Sequence, residues 1–408
     1  MSIAATPSNG MDESRIGLVI YHCTSHDWFG RHHFFTLLAR AFARRARVLY
    51  VSTPVVRPIG RGIRPVGRRI RGGYLSEQDG VTVLQPILPN GARFRSVRLW
   101  RHFLDWIVAR ATRSALNEIQ RREGEKTLLW CYAPDALPLV RSHGFTHSVY
   151  WCGDDSQLPD EDRLIREVDL VFAISPPVLA LNRKNAKRIT PMPMAVEPEP
   201  YIRARMQRAT PTALHGLPRP LIGYAGALNR RIDWALLEKI AEMVEGTMVL
   251  VGPVIDSIGE SGVARLVRRS KVRWVGHQSE IEAPRFIAAF DVALMPYRRI
   301  VFNESCNPTK FYEYLAAGVP VVSTMLPILD FFDGFARQAC DAEGFIEAIH
   351  ASLNSAEHGP EAIGRRQETA RHHSYDRLVA LIESEVHNLD LGAYHDTSPA
   401  DRWGPKPS

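Results

Sequence analysis

Residues 303–324, NESCNPTKFYEYLAAGVPVVST, constrain the fold of this 408-residue chain more than any other stretch. Asn307 offers a side-chain oxygen for a helix N-cap, and Pro308 at the first helical position gives up no bond that a helix would make. Good helix formers fill residues 310–317, and Gly318 supplies the left-handed stop. Residues 319–323 then read as a short buried strand with Pro320 near its beginning. A loop, a helix and a fully apolar strand in such quick succession form the repeating unit of a parallel α/β sheet.

The same unit recurs on both sides of a proline-rich segment. In the first half, residues 15–23, 46–52, 81–86, 127–132, 148–152 and 168–175 read as strands, with helices expected over 31–44 and within 92–122. In the second half, strands are expected at 221–225, 248–251, 272–276 and 288–296, with helices at 232–244, 344–353 and 366–386. Between the halves lies TPMPMAVEPEP (190–200), with more proline up to 220; this density blocks helices and central-strand pairing, which marks an interdomain connection. The chain is therefore expected to be α/β, with two Rossmann-like domains at 1–190 and 220–365, a linker at 191–219, a helix at 366–388 and a disordered tail at 389–408.

Composition excludes several classes. With 45% hydrophobic and 23% charged residues the chain has material for two globular cores. No apolar run approaches the roughly 20 residues of a membrane helix. MSIAATPSNGMDES lacks a signal-peptide pattern, and Cys23, Cys131, Cys152, Cys306 and Cys340 are scattered without CxxC pairs, so reduced thiols in the cytoplasm and no zinc site are expected. The net charge of +7 is unevenly spread: RPIGRGIRPVGRRIR (57–71), which includes Arg64, Arg68, Arg69 and Arg71, reads as a basic loop without acids. In the helix that follows, Leu99, Phe103, Trp106 and Ile107 share one side, flanked by Arg95, Arg98, Arg101, Arg110 and Arg113. Arginine mixed with aromatics suits a helix lying on anionic lipid, with Arg98, Trp100, Arg101 and Trp106 at the contact. The competing reading is a packed helix that snorkels its arginines. No nucleic-acid signature accompanies the charge, so nucleic acid is not an expected partner.

Candidate site residues cluster where strands end. His22, His26 and Asp27 follow the first strand, which has no GxGxxG and hence no dinucleotide fingerprint. Gly153, Asp154, Asp155 and Ser156 follow the 148–152 strand. The two carboxylates admit three readings: a metal site whose Asp-x-Asp spacing Gly153 breaks, a helix cap, or a general base whose like-charged neighbour raises its proton affinity. In the second half, Gly226 lets backbone approach a ligand, and Arg230 or Arg231 can pair with phosphate, unless both are solvated in an ordinary turn. Tyr297 closes a strand nearby. In the opening stretch, the helix start at Asn307, Pro308 and Thr309 can hold a diphosphate with Lys310, and Glu313, one turn on, can accept from a ribose diol. Spacing alone is equally compatible with an i,i+3 ion pair between Lys310 and Glu313.

PTKFYEYLAAGVPVVST resembles the nucleotide-sugar motif P-x-K-x-x-E-Y-x-A-x-G-x-P-V-V of GT-B glycosyltransferases, of the group 1, family 4-like kind. The resemblance implies two parallel sheets facing each other across a cleft, ribose on Glu313, and diphosphate on Lys310 and the helix start. The related G-x-x-x-x-R/K donor loop implicates Gly226 with Arg230 or Arg231. Retaining relatives carry Glu-x7-Glu; here Ser305 stands where the first acid belongs, and Glu304 is one residue out of register. SVYWCGDD and TSHDW resemble the xanthan-type glucuronosyltransferases, which implies an inverting base at Asp154 or its neighbour Asp155, with His26 orienting acceptor or sugar. HHSYDRLVALIESEV is similar to the terminal helix that in this fold crosses back onto the first domain. The implied function is transfer of a sugar from a nucleotide diphosphate sugar to a lipid-linked or polysaccharide glycan, peripherally on the cytoplasmic membrane face. No metal and no cofactor beyond the donor substrate are expected, because helix dipole and basic residues can neutralise the leaving diphosphate. A nucleotide-sugar 2-epimerase of the same fold and a non-catalytic membrane or nucleic-acid adaptor are the alternatives.

Overall fold

Strands covered on both faces need apolar residues at every position, and the chain supplies such runs twice. The computed structural model describes residues 16–29, 34–56, 65–89, 97–120, 122, 124–142, 144–154, 158–208, 210–392 and 398–404. The first sheet contains β1 (Leu18–His22), β2 (Arg47–Val51), β3 (Val55–Val56), β4 (Arg68–Ile70), β5 (Gly73–Gln78), β6 (Val81–Leu88), β7 (Thr127–Cys131), β8 (His147–Cys152), β9 (Leu170–Ala173) and β10 (Ile189–Pro191). Its order is β10-β9-β8-β7-β1-β2-β6-β5-β4, with β3 beside β6. The second sheet contains β11 (Leu221–Ala225), β12 (Thr247–Val251), β13 (Val272–Trp274), β14 (Val292–Met295), β15 (Val321–Thr324) and β16 (Ala336–Ala339), in the order β13-β12-β11-β14-β15-β16. This second sheet is parallel throughout. The first is mixed: β4, β5 and β6 pair antiparallel, so the predicted basic loop becomes, over Arg68–Ile70, one strand of a hairpin, with Arg64 outside the described residues.

Helices α1 (Phe34–Ala43), α2 (Arg98–Glu118), α3 (Leu137–Val140), α4 (Glu161–Glu167) and α5 (Pro176–Asn182) cover the first sheet. Side chains of β1 alternate between two cores: Val19 and Tyr21 join the aromatic core under α1, while Leu18 and Ile20 join the one under α2. The buried side of α2 is Leu104, Val108, Ala111, Ala115 and Leu116. The apolar side expected from Leu99, Phe103 and Trp106 faces outward, with exposures of 82%, 44% and 46%.

The linker is not free of helix. Pro198 and Pro200 fall in the first turn of α6 (Pro198–Gln207), where a missing N–H costs nothing. The second sheet carries α7 (Trp234–Met243), α8 (Ser257–Leu266), α9 (Ala283–Ala288), α10 (Val301–Glu304), α11 (Thr309–Ala316) and α12 (Ala342–Ser352). Residues 283–288 form α9, so the strand expected over 288–296 begins only at Val292. The expected helix at 366–388 is two helices, α13 (Pro360–His372) and α14 (Tyr375–Asp390).

The α14 helix lies on α1 of the first domain, where Arg44 pairs with Asp376 at 2.7 Å and Arg45 with Glu383 at 2.9 Å. Such exposed pairs contribute little; the buried Tyr375, Leu378, Val379 and Ile382 hold the helix there. The tail expected to be disordered contains α15 (Pro399–Trp403), whose Trp403 is fully buried and donates its Nε1–H to Met192 O at 3.1 Å.

Candidate active site

Register brings the loops of each sheet to one edge. His22 stands opposite Val51 and Cys131, Cys131 opposite Tyr150, and Cys152 opposite Ala173. The loops carrying His26, Asp135, Asp154 and Ser175 therefore emerge side by side.

In the second domain, Lys310 and Arg231 converge on one aromatic ring. Lys310 Nζ donates to Tyr297 Oη at 2.8 Å and lies over the rings of Tyr297 and Tyr224 at 5.2 and 5.3 Å. The Arg231 guanidinium lies over Phe302 at 4.4 Å and Tyr297 at 5.8 Å. Its Nε donates to Asn303 Oδ1 at 2.9 Å and a terminal nitrogen reaches Cys306 Sγ at 3.1 Å. Asn303 is itself held by Arg231 O and Arg298 O, so the guanidinium is fixed. Arg230 is exposed, its backbone N–H bound to Asp256, and does not share this pocket. The geometry separates the two arginines that spacing left equivalent.

Gly226 adopts φ +146°, and a Cβ there would lie 2.8 Å from Lys310 Cε; the position needs glycine for both reasons. Gly318, at φ +70°, ends α11 as its sequence position implied. Pro308, rather than Asn307, is the N-cap of α11. Asn307 is turned away from the helix start: its Nδ2 donates to Ile174 O and its Oδ1 accepts from Tyr312 Oη, both at 3.0 Å. The cap reading fails because a buried amide finds two full partners there. The first backbone N–H groups of α11, at Thr309 and Lys310, lack intrahelical acceptors by construction. Glu313 lies one turn on; burial raises its carboxyl above the usual range, against the Lys310 charge and a hydrogen bond from Tyr201 of α6.

In the first domain, His26 Nδ1 is 2.9 Å from Ser25 Oγ and 3.6 Å from Cys23 Sγ, and its ring packs on Phe35 and Tyr132. Burial lowers its pKa, so the imidazole is neutral at pH 7. His22 is fully buried with Nε2 3.4 Å from Asp135 Oδ1, which corrects its assignment to the acceptor wall. Asp27 is occupied by its own turn, accepting from Phe29 N–H and Ser52 Oγ, both at 3.4 Å. Asp154 is half-buried, and Asp155 lies outside the described residues. Burial raises the Cys306 thiol first of all; Arg231, Asp154 and Lys310 act on that thiol by charge. Of these charged groups, Arg231 touches the sulfur directly, at 3.1 Å.

Two neighbouring cavities open on the first domain. The larger, of about 540 Å³, is lined by Thr24, Trp106, Asp135, Leu137, Leu158 and Asp160, among others. The smaller, of about 310 Å³, holds Asp154 and shares Leu158 and Asp160 with the first. Of the residues expected at a membrane, Arg68, Arg69, Arg71 and Arg98 are exposed, while Trp100 packs partly on the core and Arg101 pairs with Asp160 at 2.6 Å. Trp106 is half-exposed beneath Arg110, which lies 5.6 Å from its ring centroid. Tyr132, Tyr224, Asn303 and Asp135 escaped sequence reasoning. Tyr132 directly follows β7 and was findable from that position; Asn303 gave no signal. Among the described residues, no cluster of three His, Cys, Asp or Glu is arranged to hold a metal ion, and no helix is long and apolar enough to cross a membrane.

Comparison with known proteins agrees with this geometry. Residues 219–355, which carry the Arg231–Lys310–Glu313 pocket, match the family described as "Glycosyl transferases group 1". The chain is 26% identical over 326 residues to the putative teichuronic acid biosynthesis glycosyltransferase TuaH of Bacillus subtilis (strain 168), covering 73% of this chain and 77% of that one. Sucrose-phosphate synthase from Thermosynechococcus elongatus superposes with a TM-score of 0.66 at 15% identity, over 92% of this chain and 100% of the other. Anabaena Alr3699/HepE, solved in complex with UDP, gives 0.61 at 14% identity, over 91% and 99%. The fold is GT-B, and its second domain matches the group 1 glycosyltransferases over residues 219–355. It is a glycosyltransferase enzyme; the epimerase and adaptor alternatives are not favoured.

Proposed function

We propose that the protein transfers a sugar from a uridine diphosphate sugar to a glycan acceptor by single displacement. The observation that carries this reading is the convergence of Arg231 and Lys310 on Tyr297, with the first domain bonded to the adjoining loop by Ser175, on the strand end next to that of Asp154. Arg231, Lys310 and the α11 start hold the diphosphate, and Glu313, shared with Tyr201, accepts from the ribose. The UDP complex of Anabaena Alr3699/HepE supports uridine as the nucleoside. Asp154 takes the proton of the attacking acceptor hydroxyl as its oxygen bonds to the anomeric carbon. The carbon–oxygen bond to the diphosphate breaks, and the leaving charge passes to Arg231 and Lys310. These fixed cations can offset it without a metal ion. Neutral His26 is placed to orient the acceptor by hydrogen bonding.

The larger cavity suits the acceptor. Asp135 offers carboxylate oxygens to sugar hydroxyls, and the half-exposed Trp106 offers a ring face. Leu99 and Phe103 continue that apolar surface outward beside Arg98, which supports a lipid-linked or polysaccharide acceptor at an anionic membrane surface. The relationship to TuaH supports a cell-surface polysaccharide as the product class.

Asp154→Asn tests the chemical step. Calorimetry with UDP should give the wild-type affinity, while transfer, screened with a panel of UDP-sugars, should fall by at least 10²-fold. Transfer that persists in Asp154→Asn and vanishes in Asp155→Asn would move the base by one residue.

A further inference from the structure

A pair of buried hydrogen bonds ties the first domain to the loop entering the donor helix. Ser175 Oγ donates to Ser305 O at 2.5 Å, and Asn307 Nδ2 donates to Ile174 O at 3.0 Å. All four residues are buried, Ser175 completely. The network continues through α11, where Asn307 Oδ1 accepts from Tyr312 Oη. The Tyr312 ring lies 4.8 Å from His373, where the chain returns. Amides and hydroxyls buried without partners are costly, so domain movements that break these bonds are opposed.

We propose that Ser175 and Asn307 are positioning residues for glycosyl transfer, holding the first turn of the donor helix in register with the Asp154 loop. The inference rests on the donor and base assignments made above. Neither side chain is turned toward the donor: Asn307 is held by Ile174 and Tyr312, and Ser175 belongs to the opposite domain. The geometry gives them leverage of another kind. Ser175 follows β9 and Asp154 follows β8, and Cys152 and Ala173 are direct partners in those neighbouring strands. The contact with the donor loop and the base therefore leave neighbouring strands two residues past the same paired position. A slip of the domains at Ser305 displaces the donor helix relative to the Asp154 loop, and a misplacement of about 1 Å can cost ~10²-fold in rate.

The test uses Ser175→Ala and Tyr312→Phe, singly and combined, in the full chain. UDP affinity by calorimetry should stay within about threefold of wild type, because Arg231, Lys310 and Glu313 are untouched. The kcat for transfer from the UDP-sugar chosen by the panel should fall at least tenfold in the combined variant. Its radius of gyration in solution scattering should increase with and without UDP. A merely stabilising role would lower Tm and leave the kcat of the folded protein intact. Retained kcat with an unchanged radius overturns the proposal, as does a parallel loss of UDP affinity, which would mean damage to the donor pocket. A wild-type protein that fails to bind UDP refutes the donor reading instead, and the scattering comparison without ligand then decides the domain tie by itself.

Discussion

Gly226→Ala should disarm the proposed donor pocket by displacing Lys310 rather than by removing any charged group. The added Cβ would fall 2.8 Å from Lys310 Cε and 3.0 Å from its Nζ, well inside van der Waals contact. The obstacle is the far end of a flexible side chain, so the chain still folds and Lys310 moves. The residue would also keep φ +146°, a conformation costing an L-residue roughly 1–3 kcal/mol, which predicts a Tm lower by a few degrees. The functional effect is separate. Lys310 loses its place on Tyr297 Oη, and with it the charge-assisted hydrogen bond proposed to the diphosphate, worth about 1.5–3 kcal/mol. UDP affinity should fall by about ten- to a hundredfold in calorimetry. A double-mutant cycle sharpens the assay. If Gly226→Ala acts through the lysine, it should add almost nothing in a Lys310→Met background. Additive losses, or unchanged UDP affinity in Gly226→Ala, refute the reasoning.

Burial lowers the His373 pKa to about 4, so the folded protein keeps it neutral where the unfolded chain, near 6.5, takes a proton. Stability from this group is complete above pH ~6.5 and is lost as pH falls toward 4, by up to roughly 3 kcal/mol. A Tm profile should show that slope, and His373→Gln should flatten it; identical slopes would exclude the histidine as the source. Vesicle sedimentation tests the outward face of α2: Phe103→Ser with Trp106→Ser should reduce pelleting with anionic liposomes, and equal pelleting on anionic and neutral lipid would remove the electrostatic part.

The second domain was the more legible, for a physical reason. LIGYA and TMVLV are buried at every position in a parallel sheet, so the apolar runs are themselves the strands. Asn307 was misread because Asn before a helix start usually caps it; nothing local records that Ile174, 133 residues away, supplies a carbonyl for its amide. In α2 the large residues Leu99, Phe103 and Trp106 outweighed a face built from Leu104, Val108, Ala111 and Ala115. Periodicity reports two sides of a helix but not which one the sheet will cover. The α6 prolines looked like helix breakers and are helix starters, a distinction of one turn. The role of Trp403 could not be read at all, since its partner Met192 O lies 211 residues away.

The polypeptide passes between the domains twice, and the two passes are bonded to each other. Val196 N–H donates to His373 O at 2.9 Å, and Val196 pairs in parallel with Ser374. One connecting strand behaves as a ball joint, free to swing and to twist. Two strands fastened side by side behave as the pins of a door hinge, which leave one axis of rotation and suppress the others. Any rotation of one sheet against the other is then confined to a single arc. A chain cut before residue 373 would keep both sheets and lose the second pin, and with it the reproducibility of that arc.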